Sequence, residues 1–107
     1  MIRKRSDFLA ANTGKRTTTP GFILLIRERE DNDPAMRVGF TVTKKIGGAV
    51  VRNRMKRRMR ALARELVPAK GICGADHVMI GRSRGIERDY QDMRGELSSA
   101  LDRLSAS

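Results

Sequence analysis

Met36, Val38, Phe40 and Val42 alternate with Arg37, Gly39, Thr41 and Thr43. This period of two predicts a strand with one face packed and the other accessible. Residues 22–26 form an unbroken apolar run. Residues 22–29 are therefore expected to be a strand buried on both faces, followed by an acidic turn over residues 28–34. Residues 15–19 are β-prone and stop at Pro20-Gly21, while residues 77–81 are short and apolar enough for one more strand. After the break at Gly47-Gly48 the pattern turns helical over residues 50–67 and is expected to end at Pro68. Tyr90, Met93, Leu97, Leu101 and Leu104 recur every three or four residues, with Asp89 and Asp92 at the positive helix start, which predicts a capped C-terminal helix. Near the other end, Ser6 is a candidate cap for a short helix that carries Phe8 and Leu9 and closes at Gly14.

At 107 residues the chain is expected to form one domain over residues 1–107, with no internal repeat or linker to divide it. Three Phe, one Tyr and no Trp make the expected core aliphatic. The longest apolar run is far too short to span a bilayer, and the basic first residues are followed by Ser6 and Asp7 rather than the apolar stretch of a signal peptide. A cytoplasmic protein with no membrane association is expected. Cys73 has no second cysteine to pair with, and His77 has no second Cys or His at metal-ligand spacing. Both are read as packing or loop residues.

Charge changes the picture most. Lys and Arg number 23 against 12 Asp and Glu, a formal net charge of +11. Between residues 37 and 64 lie ten basic residues and no acid, and the rest of the chain holds 13 basic against 12 acidic residues. Nearly the whole excess thus belongs to one segment. Solubility alone is served by mixed signs, so a one-sign segment points to a polyanionic partner.

On a helical wheel at about 100° per residue, Val51, Met55, Met59, Leu62 and Leu66 fall within an arc of roughly 80°, a stripe suited to packing on a sheet. Arg52, Lys56, Arg57, Arg60 and Arg64 lie across the opposite side with Asn53, while Arg54 and Arg58 flank the stripe. Arg52 and Arg54 sit near the positive end of the helix dipole, and the Arg52, Lys56, Arg60, Arg64 row places like charges four residues apart. Each such pair costs about 0.2–0.5 kcal/mol in an isolated helix. An arrangement that opposes helix stability in this way favours phosphate binding over a merely solvated face. Within residues 37–64 Arg outnumbers Lys by seven to three, which suits bidentate phosphate contact and stacking on exposed bases.

The turn through Lys44, Lys45, Ile46, Gly47 and Gly48 could present backbone N–H and ammonium groups to a phosphate, or could simply join strand to helix. It contains neither of the glycine-rich nucleotide loops. The acids lie mostly between residues 28 and 33 and in the last twenty residues, without a nucleophile elbow or a metal-binding pair. No catalytic residue and no cofactor are expected on the protein. Three classes stay open on these grounds: a protein subunit of a ribozyme, a ribosomal or other structural RNA-binding protein, and a protein-only nuclease.

The segment VGFTVTKKIGGAVVRNRMKRRMR, residues 38–60, with Arg52-Asn53-Arg54 as its RNR signature, strongly resembles the protein subunit of bacterial ribonuclease P. The resemblance implies an α+β sandwich of a four-stranded sheet with helices in the order αβββαβα, the second-domain fold of a small-subunit ribosomal protein. It also implies a left-handed βαβ crossover, against the usual hand. By the same resemblance the protein assembles with a catalytic RNA that, with bound magnesium, removes the 5′ leader from precursor tRNA, and it needs no obligate protein partner. Lys44, Lys45, Arg52, Asn53, Arg54, Lys56, Arg57, Arg58, Arg60 and Arg64 would then seat it on that RNA. A cleft between the first helix and the sheet would hold the single-stranded leader, with Phe8 matching a family aromatic. Asn12 and Leu25 stand where relatives often carry aromatic residues, and Gly48 replaces an Asn common before the basic helix.

Overall fold

The computed structural model describes residues 2, 5–11 and 14–106, with the backbone alone at residues 7–9 and 106. Its elements follow in the order α1 (Arg5–Ala11), β1 (Lys15–Thr18), β2 (Phe22–Glu28), β3 (Arg37–Thr41), α2 (Ala49–Lys70), β4 (Ala75–Gly81), a 3₁₀ turn at Ser83–Gly85, and α3 (Tyr90–Ala106). This is the expected αβββαβα order. The four strands form one mixed sheet in the spatial order β1-β2-β4-β3. β2 pairs antiparallel with both β1 and β4, whereas β3 runs parallel to β4 and is joined to it through α2.

Alternation along the strands sorts side chains onto two faces. Phe22, Leu24 and Ile26 of β2 and Ala75 and Met79 of β4 join Met55, Met59, Leu62, Leu66, Met93, Leu97 and Leu101 in the main core under α2 and α3. On the opposite face Leu25 and Val78 pack with Ile2 and Ala11 under α1. The continuous apolar run of β2 is thus buried on both sides, as its composition requires. Met36, Val38 and Phe40 of the β3 edge are half-buried against the main core. Close approach of α2 to the sheet depends on Gly81, where a Cβ would collide with the Met55 sulfur.

Several boundaries differ from the sequence pattern. α2 continues past Pro68 to Lys70. A proline in the last turn removes only the N–H that would bond the Arg64 carbonyl, and the Gly71 N–H closes the helix on the Val67 carbonyl at 2.7 Å. Ser6 lies inside α1 rather than at its cap. α3 is capped as expected, Asp89 Oδ1 accepting from the N–H groups of Gln91 and Asp92 at 2.8 and 3.2 Å.

β4 begins at Ala75, two residues before the expected start, because the fully buried Asp76 is satisfied there. Arg37, its direct neighbour on β3, donates to both carboxylate oxygens at 2.6 and 2.7 Å, and Arg29 donates at 2.9 Å. Arg27 approaches to 3.9 Å from β2. Arg29 also donates to Asp31 and to the carbonyls of Asp33 and Ala35, holding the acidic loop across the end of β4. Burial opposes ionisation of Asp76, but the hydrogen bonds from Arg37 and Arg29 outweigh it and hold the carboxyl below its usual 3.8. One carboxylate therefore organises three strands and a loop.

His77 is the next residue, buried on the other face. Its Nε2 accepts from the Ile72 N–H at 3.0 Å, so its Nδ1 carries the proton and donates to the Arg37 carbonyl at 3.2 Å. Desolvation lowers its pKa from 6.5, and the bond to Arg37 offsets this only in part.

Unfolded His77 binds a proton more readily than the folded imidazole, so stability is full above pH 6.5 and falls as pH drops from there toward the lowered folded value. Thermal midpoints recorded from pH 8 to 5 are expected to show this early fall in the parent chain and not in His77→Gln; matching slopes would rule out His77 as its source. Arg58 of α2 donates to the carbonyls of Gly85, at 3.1 Å, and Arg88, tying the helix to the 3₁₀ turn and the segment before α3. Arg58→Ala is expected to cost about 1.5–3 kcal/mol in urea unfolding, the usual range for a lost charge-assisted hydrogen bond. A cost near zero would contradict this anchoring role.

Candidate nucleic-acid interface

α2 presents its two sides to different surroundings. Met55, Met59, Leu62, Ala63, Leu66 and Val67 are buried, while Asn53, Arg54, Arg57, Arg60 and Arg64 are exposed and Arg52 and Lys56 are half-buried. At 1.5 Å rise per residue the row from Arg52 to Arg64 is about 18 Å long. The helix starts at Gly48 without a side-chain cap and without an acid in its first turn, so its N-terminal N–H groups and positive dipole end add to the side-chain charge. Lys44 and Lys45 are exposed in the turn just before it, closed by the Ile46 N–H on the Thr43 carbonyl at 3.1 Å.

These cations share the lack of an acidic partner. Among the described residues, no carboxylate is in ion-pair range of Lys44, Lys45, Arg52, Arg54, Lys56, Arg57, Arg60 or Arg64. Acids are instead matched to basic residues elsewhere: Asp76 to Arg29 and Arg37, Asp102 to Lys70, Glu96 to Arg88 and Glu65 to Arg94. The cationic face gathers eight cations without such matching on one helix and the turn before it, and it therefore carries a field a polyanion would meet.

The structure also redistributes residues within the basic segment. Arg37, counted in its charge, is committed to Asp76 and belongs to the sheet. Arg58 is half-buried with both terminal nitrogens on backbone carbonyls, so it serves the fold and not the exposed row; its place at the edge of the apolar stripe puts it within reach of the segment before α3. Arg52 turns its Nε to the Gly47 carbonyl at 3.2 Å, stiffening the entry to α2. Arg60 lies over the Phe40 ring, 5.8 Å from its centroid.

On the face under α1, Leu25 is only 2% exposed and is spent on packing with Ile2, Ala11 and Val78. It offers no surface to a ligand in this form, a correction to its reading as a cleft contact. Ile23 and Ile80, directly paired across β2 and β4, are half-buried on the same face, and Arg16 and Thr18 of β1 are exposed there. Strand alternation outward from Leu25 carried the signal for them. The Phe8 side chain and Asn12 lie outside the described residues.

Among the described residues no group of three or more His, Cys, Asp or Glu converges to hold a metal ion, and no helix is long and apolar enough to cross a membrane.

Known proteins match this chain in sequence and in fold. The family model described as Ribonuclease P matches residues 1–105. The ribonuclease P protein component of Erythrobacter litoralis is 56% identical over 103 residues, covering 96% of this chain and 84% of that protein. That of Caulobacter vibrioides is 42% identical over 105 residues, covering 98% and 70%. Among solved structures, the ribonuclease P protein of Thermotoga maritima superposes with a TM-score of 0.81 at 30% identity, covering 96% of this chain and 98% of that one. The family match over residues 1–105, with 56% and 42% identity to these two relatives and the shared fold, places the chain in the ribonuclease P protein family.

Proposed function

We propose that this chain is the RNA-binding subunit of a ribonuclease P, assisting a catalytic RNA in removing the 5′ leader of precursor tRNA in the cytoplasm. The observation that carries the reading is the row of unmatched cations on α2, in a chain of this family. Lys44, Lys45, Arg52, Arg54, Lys56, Arg57, Arg60 and Arg64 engage phosphates of the RNA subunit, with Asn53 beside them as a hydrogen-bonding group. The arginine guanidinium groups bind phosphate bidentately, the lysine ammonium groups add point charges, and the uncapped start of α2 adds backbone donors.

The described residues offer no cluster of acids to hold a metal ion. Magnesium bound by the RNA would supply charge neutralisation at the scissile phosphate. The protein's part is then to hold the RNA and the substrate in register. Single-stranded leader lies along the face under α1, where Phe8 stacks on an unpaired base and Ile23, Ile80 and Arg16 extend the contact surface.

The direct test is reconstitution with the organism's own catalytic RNA at low magnesium, with precursor-tRNA cleavage measured with and without protein. Faster turnover with protein supports the proposal. No change would return the chain to a structural RNA-binding role, and cleavage by protein and magnesium without RNA would make it a nuclease. If about six to eight phosphates are contacted, log K for the RNA subunit falls with log salt at a slope near −4 to −7. The Arg52→Ala and Arg54→Ala double variant is expected to stay folded and to assemble less well; unchanged RNA affinity would contradict the assignment. Phe8→Ala is expected to weaken precursor binding more than mature tRNA binding, and equal losses would remove the leader role.

A further inference from the structure

Beside the cationic face, the outer edge of the sheet and the C-terminal half of α2 enclose an open groove of about 410 Å³. Met36, Val38 and Phe40 of the β3 edge form one wall and Val67 part of the other, with Arg60 and Arg64 at the rim. Its size is that of a small-molecule site. The half-buried side chains on β3 pack on the core from one side and line this opening on the other.

Chemistry narrows what could fill it. The lining includes two arginines and no acid, so the occupant brings negative charge together with a flat apolar surface. The Arg60 guanidinium already sits over the Phe40 ring, a planar cation on an aromatic platform, and such platforms stack nucleobases without regard to sequence. Arg60 and Arg64 also belong to the unmatched cationic row, so a polynucleotide held by that row runs past the groove mouth. We infer that the groove between β3 and α2 receives an unpaired base of the bound RNA, stacked against Phe40 and Arg60, while Arg64 holds the adjoining phosphate. This inference rests on the RNA-binding reading and adds to it a contact that does not depend on counterion release. A second copy of the chain would bring two more rim arginines against these two, so self-association is disfavoured there by like charge.

The chain contains no Trp, so Phe40→Trp introduces a single fluorophore into the groove wall. Titration of this variant with the RNA subunit is expected to quench the introduced indole to saturation at the protein-to-RNA ratio found by gel shift. The same substitution at Tyr90, on α3, is expected to change little. Phe40→Leu is expected to lower RNA affinity about 5- to 150-fold, the usual scale of one stacked base, with an unchanged salt slope. Arg57→Ala, by contrast, is expected to make the slope shallower by about 0.7–0.9. RNA that shifts the Phe40→Trp variant on a gel without altering its fluorescence would overturn the groove while leaving RNA binding in place. Quenching that follows protein concentration without RNA would assign the groove to a second copy and also overturn it. Failure of the parent chain to bind the RNA at all would remove the underlying reading.

Discussion

Burial of one side of α2 is the contact on which the remaining features depend. The helix carries like charges four residues apart and basic residues at its positive end, so in isolation its own electrostatics would loosen it. Six buried side chains, from Met55 to Val67, hold it to the sheet and to α3 and offset that repulsion. Because those side chains fix the rotation of the helix, the cations have one direction to face. The same packing that stabilises the helix therefore aims its charge.

A second constraint is the buried carboxylate of Asp76. A charge without solvent is costly unless it is paired and fully hydrogen-bonded, and here guanidinium groups from β2, β3 and the following loop supply the pairing. Removal of one partner from such a cluster leaves an uncompensated charge inside the protein, so its members act as a unit. Its placement on β4 holds two strand arginines and Arg29 of the loop after β2 at that end of the sheet, away from the cationic row.

These two constraints divide the basic residues by task. Arg29, Arg37 and Arg58 spend their donors on protein oxygens, whereas the exposed arginines of α2 keep theirs toward solvent. Eight cations without an acidic partner among the described residues, from Lys44 to Arg64, thus share one surface, next to an apolar groove at the β3 edge. Charge supplies range and rate in binding RNA, while apolar walls and planar groups supply contacts that salt does not weaken.

The element order, the period-two strand at β3, the two-sided burial of β2 and the amphipathic α2 were legible in the sequence, because each is a local pattern of polarity that the solvent enforces. The basic row on α2 was legible for the same reason. Residues whose partners lie far along the chain were not. Asp76 concealed the start of β4 since its three arginines lie about 40 or more residues away in sequence, and Arg58 read as a surface cation since its acceptors are carbonyls that fold back from beyond β4. Leu25 read as a contact residue, but Ile2 and Ala11 close over it. Local alternation decides which way a side chain points; only packing between distant segments decides whether it meets solvent, an oxygen of the same protein, or a partner.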